Sequence, residues 1–187
     1  MRQVYSVKLS TRPYPEAMQM TPSAQQRNAS YDELCRQLGI QFEAEIRGGA
    51  NYDVAVDHEG LLYISGMVPR IQGDIVVKGR VGADASFDDA RRAAQVCVLR
   101  ALAAVRQAAG SLERVARLLR MTVYVQSADD FERHSEVADA ASDILYALFG
   151  VAGKHTRTSV GVYKLPKNAA VEIDLIVAVD GGARAQD

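Results

Sequence analysis

TRTSVGVYKLPKNAAVEIDLIVAV, residues 156–179, reads as two strands around a short connection. The first runs from Arg157 to Tyr163 and the second from Val171 to Val179. Lys164-Leu165-Pro166-Lys167-Asn168 joins them, with Pro and Asn as turn residues. Alternation puts Arg157, Ser159, Gly161 and Tyr163 on one face of the first strand, and Glu172, Asp174 and Ile176 on one face of the second. A hairpin with Tyr163 opposite Ala170 sets Gly161 opposite Glu172. Arg157 then lies four residues along, ~13 Å at ~3.3 Å per residue. This register predicts that Arg157 and Glu172 face the same side without touching. They meet only if the register differs, or across a subunit boundary.

Working back along the chain, the spacing predicts a helix from about Asp129 to Phe149, stopped by Gly150. Its apolar positions include Phe131, Val137, Ala138, Ala141, Ile144, Leu145 and Leu148. Val115 to Val125 reads as a central strand. Before it, Ser86 can cap a long helix with Asp88 and Asp89 in its first turn, where acidic groups complement the helix dipole. An alanine-rich stripe from Ala90 to Ala108 suggests close packing on a sheet, and Gly110 ends the helix. Tyr52–Val56, Leu61–Ser65 and Ile75–Val77 read as an antiparallel meander, with His58-Glu59-Gly60 as a turn. Further upstream, Ser30 and Glu33 form a capping-box pattern for a short helix that stops at Gly39. Residues 1–29, with Pro13, Pro15 and Pro22, read as a flexible arm, residues 30–49 as helix and linker, and 181–187 as a frayed tail.

The predicted order is βββ-α-β-α-ββ. It corresponds to an α+β mixed sheet of about six strands in the domain 50–180, with two helices on one face. The other face needs burial too, and oligomerisation is the simplest route to it.

Composition narrows the function classes. Of 187 residues, 48% are hydrophobic, and the formal net charge of -1 lacks the basic surplus of a phosphate-backbone binder, so nucleic acid is not indicated as a partner. Cys35 and Cys97 lie far apart without metal-ligand spacing, which argues for buried thiols rather than a disulfide framework or zinc site. His58, His134 and His155 are isolated. There is no signal-peptide pattern and no run of roughly 20 apolar residues, so no membrane is indicated and a reducing, cytoplasmic setting is expected.

From Asn51 to Asp180 the chain resembles the RidA/YjgF family, also labelled endoribonuclease L-PSP or reactive-intermediate deaminase. The carrying segments are NYDVAV (51–56), LLYISGMVP (61–69), GRVGADAS (79–86), GSLERVARLLRMTVYV (110–125) and the stretch quoted first. The resemblance implies a chorismate-mutase-like fold and a homotrimer with a central barrel, outer helices and clefts at the subunit interfaces. It further implies hydrolysis of reactive enamines and imines such as 2-aminoacrylate to a 2-oxo acid and ammonia, without a metal or organic cofactor.

Residue by residue, the family's carboxylate-binding arginine falls on Arg157, its acidic partner on Glu172 and its tyrosine on Tyr52. Its Ser-Gly falls on Ser65-Gly66, and Ser159 is a further candidate substrate contact. The sequence departs from the family in three places. Asn51-Tyr52-Asp53-Val54 replaces the usual Pro-Tyr-Ser-Gln, Ser159 stands where a cysteine is often found, and Gly161 replaces a glutamate.

The chemistry suits these residue types. A guanidinium fork matches a carboxylate in two parallel hydrogen bonds and positions the adjacent imine carbon for attack by water. Glu172 would hold the water or relay protons, and Tyr52 would wall the pocket. Two other readings remain: a non-catalytic, regulatory binder of small carboxylates or keto acids, and an endoribonuclease or translation inhibitor. The second would need basic clusters with aromatic platforms.

Overall fold

Buried aliphatic residues at alternate positions make Val171–Val179 (β7) the central strand of the sheet. Val171, Ile173, Leu175 and Val177 are at most 1% exposed. A strand so covered needs partners on both edges, and β7 has them. It pairs antiparallel with Leu61–Met67 (β2) on one side and with Val115–Gln126 (β5) on the other. Ala55–His58 (β1) continues the sheet beyond β2, and Thr156–Val162 (β6) closes the far edge, parallel to β5. The computed structural model of the chain describes residues 22–49 and 51–180. Its five-stranded sheet has the order β1-β2-β7-β5-β6, and Arg70–Ile71 (β3) and Asp74–Ile75 (β4) form a separate two-stranded ribbon.

Two long helices cover one face. Phe87–Ala109 (α2) starts with the expected cap: the Asp89 amide donates to Ser86 Oγ at 3.0 Å, and the Ser86 amide donates to Asp89 Oδ2 at 3.0 Å. Gly110, at φ 79°, ends it in the left-handed conformation. Ala90, Ala93, Ala94 and Ala101 are fully buried, and their small side chains let the helix axis lie close to β7 and β2. His134–Phe149 (α3) packs beside α2 and above β5 and β6. Each large aliphatic side chain buried between these layers contributes about 1.5–3 kcal/mol. No described helix is long and apolar enough to cross a membrane.

The mixed α+β architecture with both long helices on one face is the one expected, but several details differ. β6 and β7 do not form a hairpin. Joined through α3, β5 and β6 run parallel, so the chain must then cross β5 before it enters β7. The third predicted strand is reduced to the β3–β4 ribbon, and α3 begins at His134, not near Asp129. The first helix, Arg27–Gln37 (α1), starts before Ser30, which therefore lies inside it. The cap-like pairing occurs upstream, where the Ser23 amide donates to Gln26 Oε1 at 3.1 Å. α1 is docked by Arg27, whose Nη1 donates to the Val115 carbonyl at 2.6 Å, and by Tyr31, whose hydroxyl donates to the Leu99 carbonyl at 3.0 Å. Residues 1–21 of the predicted arm and the tail 181–187 lie outside the described residues.

Candidate functional site

The β2–β7 register shifts between Ile64 and Met67, and this irregularity brings Gly66 against Glu172. A Cβ added to Gly66 would overlap Glu172 Oε1 and stand 2.9 Å from Cδ. Only glycine leaves this carboxyl group room to lie along the β2 backbone. Burial raises the Glu172 pKa above the ordinary carboxylate range, and the neighbouring Asp174 charge raises it further.

Glu172 and Gly66 line a cleft of about 270 Å³ together with Tyr52 and Ser65. Four of the predicted site residues are thus brought together. Tyr52 is half exposed, and its hydroxyl accepts from the Gly49 amide at 3.4 Å. The Ser65 hydroxyl donates to the Asp53 carbonyl at 2.7 Å, so it ties the segment before β1 to β2. Four cationic residues that sequence reasoning did not select share the cleft: Arg47, Arg70, Arg100 and Lys167. Arg100 is nearly buried on α2 and pairs with Glu43 at 2.7 Å.

Arg157 and Ser159 are elsewhere. In the sheet register Arg157 aligns with Met121, which aligns with Leu175, a residue of the helix-covered face. Glu172 aligns with Tyr124, which aligns with Val160 on the open face. The expectation that Arg157 and Glu172 face the same side is therefore wrong. They occupy opposite faces, two strands and three residues apart, about 14 Å at the usual sheet spacings. As anticipated, they do not touch within one chain.

Arg157 instead faces α3. Its Nη1 donates to Asp139 Oδ1 at 2.8 Å and to Ser142 Oγ at 2.9 Å. The i, i+3 spacing of Asp139 and Ser142 puts both on one helix face. Ser142 Oγ lies 3.2 Å from His155 Nε2. His155 Nδ1 lies 2.7 Å from the Gly153 carbonyl, which assigns the ring proton to Nδ1. Burial lowers the His155 pKa, and the Arg157 charge adds to this, outweighing the Gly153 hydrogen bond. Asp143 beside them is raised by burial and by Asp139. Ser159 Oγ approaches Ser135 Oγ at 3.4 Å. Among the described residues no three His, Cys, Asp or Glu side chains are grouped to hold a metal ion.

Comparisons with known proteins agree with this architecture. Residues 39–179 match the family model described as "YjgF/chorismate_mutase-like, putative endoribonuclease". Protein TCP17 of Trypanosoma cruzi is 34% identical over 146 residues, covering 78% of this chain and 91% of that protein. The crystal structure of Atu1372 from Agrobacterium tumefaciens, a protein of unknown function, superposes with a TM-score of 0.76 at 35% identity, covering 84% of this chain and 98% of that one. A Shewanella oneidensis structure, described with the same endoribonuclease wording, superposes at 0.74 and 25% identity, covering 84% of this chain and all of the other. With its sheet order, its helix layer and this match across most of its length, the chain belongs to the YjgF/chorismate-mutase-like family.

Proposed function

We propose that the protein hydrolyses small 2-imino carboxylates, formed directly or by tautomerisation of 2-enamines, to 2-oxo acids and ammonia. The observation that carries this reading is Glu172. Its carboxyl group is half-buried, its pKa is raised, and Gly66 makes room for it at the wall of a small cleft. In the proposed step Glu172 takes a proton from an attacking water as the oxygen bonds to the imine carbon. It returns that proton to the nitrogen, and as the C–N bond breaks the second water proton passes from the carbinol hydroxyl through Glu172 to the departing ammonia. Iminium plus water thus becomes ketone plus ammonium, with no oxidant or reductant.

Arg157 is the proposed carboxylate anchor, contributed by a second copy of the chain. Two observations support this. The Arg157 side chain sits on the sheet-edge strand β6, whereas the Glu172 cleft lies toward the β1–β2 side of the same sheet. Complementary half-sites on opposite flanks are what a head-to-tail ring joins, and a closed ring of three would make three equivalent clefts. The exposed apolar residues Val56, Tyr63 and Val160 on the open sheet face would be covered by the same assembly.

The test generates imines with an amino-acid oxidase and follows ammonia and 2-oxo acid release. Arg157→Ala and Glu172→Gln should each lower the acceleration on the order of 10²-fold, the loss of one charge-assisted contact in the transition state. Mixing the two variants after dissociation should restore part of the activity, because some mixed clefts then carry neither substitution. Full activity in either variant alone would refute the assignment, and failure of the mixture to recover would refute a cleft shared between two copies.

A further inference from the structure

The Glu172 cleft holds more positive charge than one substrate carboxylate uses. Two of its four cations are neutralised within the chain, Arg47 by Glu45 at 2.6 Å and Arg100 by Glu43 at 2.7 Å. Arg70 and Lys167 have no carboxylate partner among the described residues. Arg70 Nε is, in addition, buried with no hydrogen-bond partner among the described residues. A guanidinium that lines a cleft without a carboxylate partner is available to an anionic ligand.

The backbone around Arg70 is held in place. It opens the β3–β4 ribbon paired with Ile75, and its carbonyl accepts from Arg100 Nη1 at 3.3 Å. Lys167 is held on the other rim by the turn before β7, with its own backbone in the left-handed region at φ 57°. The cleft volume of about 270 Å³ is roughly that of nine liquid waters at ~30 Å³ each. That space suits a four- or five-carbon diacid of about nine or ten non-hydrogen atoms.

We propose that Arg70, assisted by Lys167, forms a side-chain anion subsite in this cleft, which makes imines of dicarboxylic amino acids the preferred substrates. The assignment of the reacting imine rests on the function proposed above, whereas the anion subsite does not. The α-carboxylate goes to Arg157 and the distal carboxylate to Arg70. There its guanidinium is the one lining arginine without a carboxylate partner among the described residues, and a guanidinium can meet a carboxylate in two parallel bonds. A monocarboxylate leaves the Arg70 guanidinium without a carboxylate, and a site built to pair a group discriminates against analogues that lack it. The reaction is 2-imino diacid plus water giving 2-oxo diacid plus ammonium.

The experiment separates binding from turnover in the full-length protein. Calorimetric titrations compare the stable diacids 2-oxoglutarate and oxaloacetate with the monoacids pyruvate and 2-oxobutyrate, with inorganic phosphate as a control anion. The diacids should bind at least ~10-fold more tightly, about 1.4 kcal/mol. Arg70→Gln should abolish that ratio and Lys167→Gln should narrow it. Melting curves check that both variants fold, and the exposed lysine keeps the test valid if the arginine variant does not. Equal affinity for mono- and diacids overturns the subsite. So does a preference that survives both substitutions, or phosphate binding as tight as diacid binding. Diacid preference without turnover of any imine leaves the subsite standing and removes the deaminase reading. Turnover of monocarboxylate imines with no diacid preference does the reverse.

Discussion

Replacing Gly66 with alanine should separate the chemistry of the cleft from the stability of the fold. The added methyl would overlap Glu172 Oε1 and lie 2.9 Å from Cδ, whereas ordinary contact begins near 3.4 Å. The carboxyl oxygen must therefore retreat by about 1 Å or more. Gly66 does not have a positive φ, so its backbone accepts alanine without strain. What yields is the end of a flexible side chain, at a rotamer cost of ~0.5–1.5 kcal/mol. The lower entropy of the unfolded chain offsets this by ~0.4–1 kcal/mol. The melting temperature should thus shift by no more than ~4 °C in a chain of this size. Misplacement of a reacting group by ~1 Å can cost ~10²-fold in rate. The assay is ammonia release from freshly generated imines at saturating and limiting substrate. A fall in kcat of this order, with a melting temperature within ~4 °C of the parent, is the expected result. Wild-type kcat in a folded Gly66→Ala protein would show that the position of the Glu172 carboxyl group does not matter, and would remove it from the mechanism.

Two further outcomes follow from the same geometry. Because the Glu172 pKa is raised, the native chain binds the proton more tightly than the unfolded chain. Its contribution to stability is thus present at low pH and is lost as pH rises through the window between the ordinary glutamate value and the raised one. Glu172→Gln should therefore be the more stable protein above that window, with the difference shrinking below it. Melting curves across pH check this, and a difference that grows toward acid would reverse the sign. Gly153→Ala tests a contact that cannot yield, since its Cβ would overlap the Leu145 carbonyl oxygen and lie 2.9 Å from the carbonyl carbon. The expected loss is ~1–3 kcal/mol, read as a lower melting temperature, and an unchanged value would show that α3 can shift on the sheet.

The legible part of this protein was local. Ser86 and Asp89 announced the start of α2, and Gly110 its end, because a cap needs only residues within one turn. Alternation placed Glu172 and Asp174 on one face of their strand, and that placement holds. Tyr52, Ser65, Gly66 and Glu172, carried over from the resemblance, do share one cleft. Less legible were the cations around them. Arg70, Arg100 and Lys167 come from a ribbon, a helix and a turn, and nothing in their spacing reveals that they converge. Asp139 and Ser142 were hidden because a helix face gains meaning only when the strand beneath it is known.

Strand order marks the division most clearly. Residues 156–179 suggest a hairpin, because two alternating segments joined by a proline-containing turn are the ordinary signature of one. Yet β6 is a half-exposed edge strand, and β7 is buried between β2 and β5. Neighbours in sequence compete for pairing with distant strands. The outcome depends on how much apolar surface each arrangement covers, a sum over the whole sheet that no local window contains. Local patterns in the chain specify most of the elements, the cap of α2, and the face each side chain occupies within its own strand. Pairing across the whole sheet sets which strands meet, brings Gly66 against Glu172, and leaves Arg157 and Glu172 on opposite faces of one sheet. The physical reason is that alternation specifies orientation within a strand, whereas register and pairing specify orientation between strands.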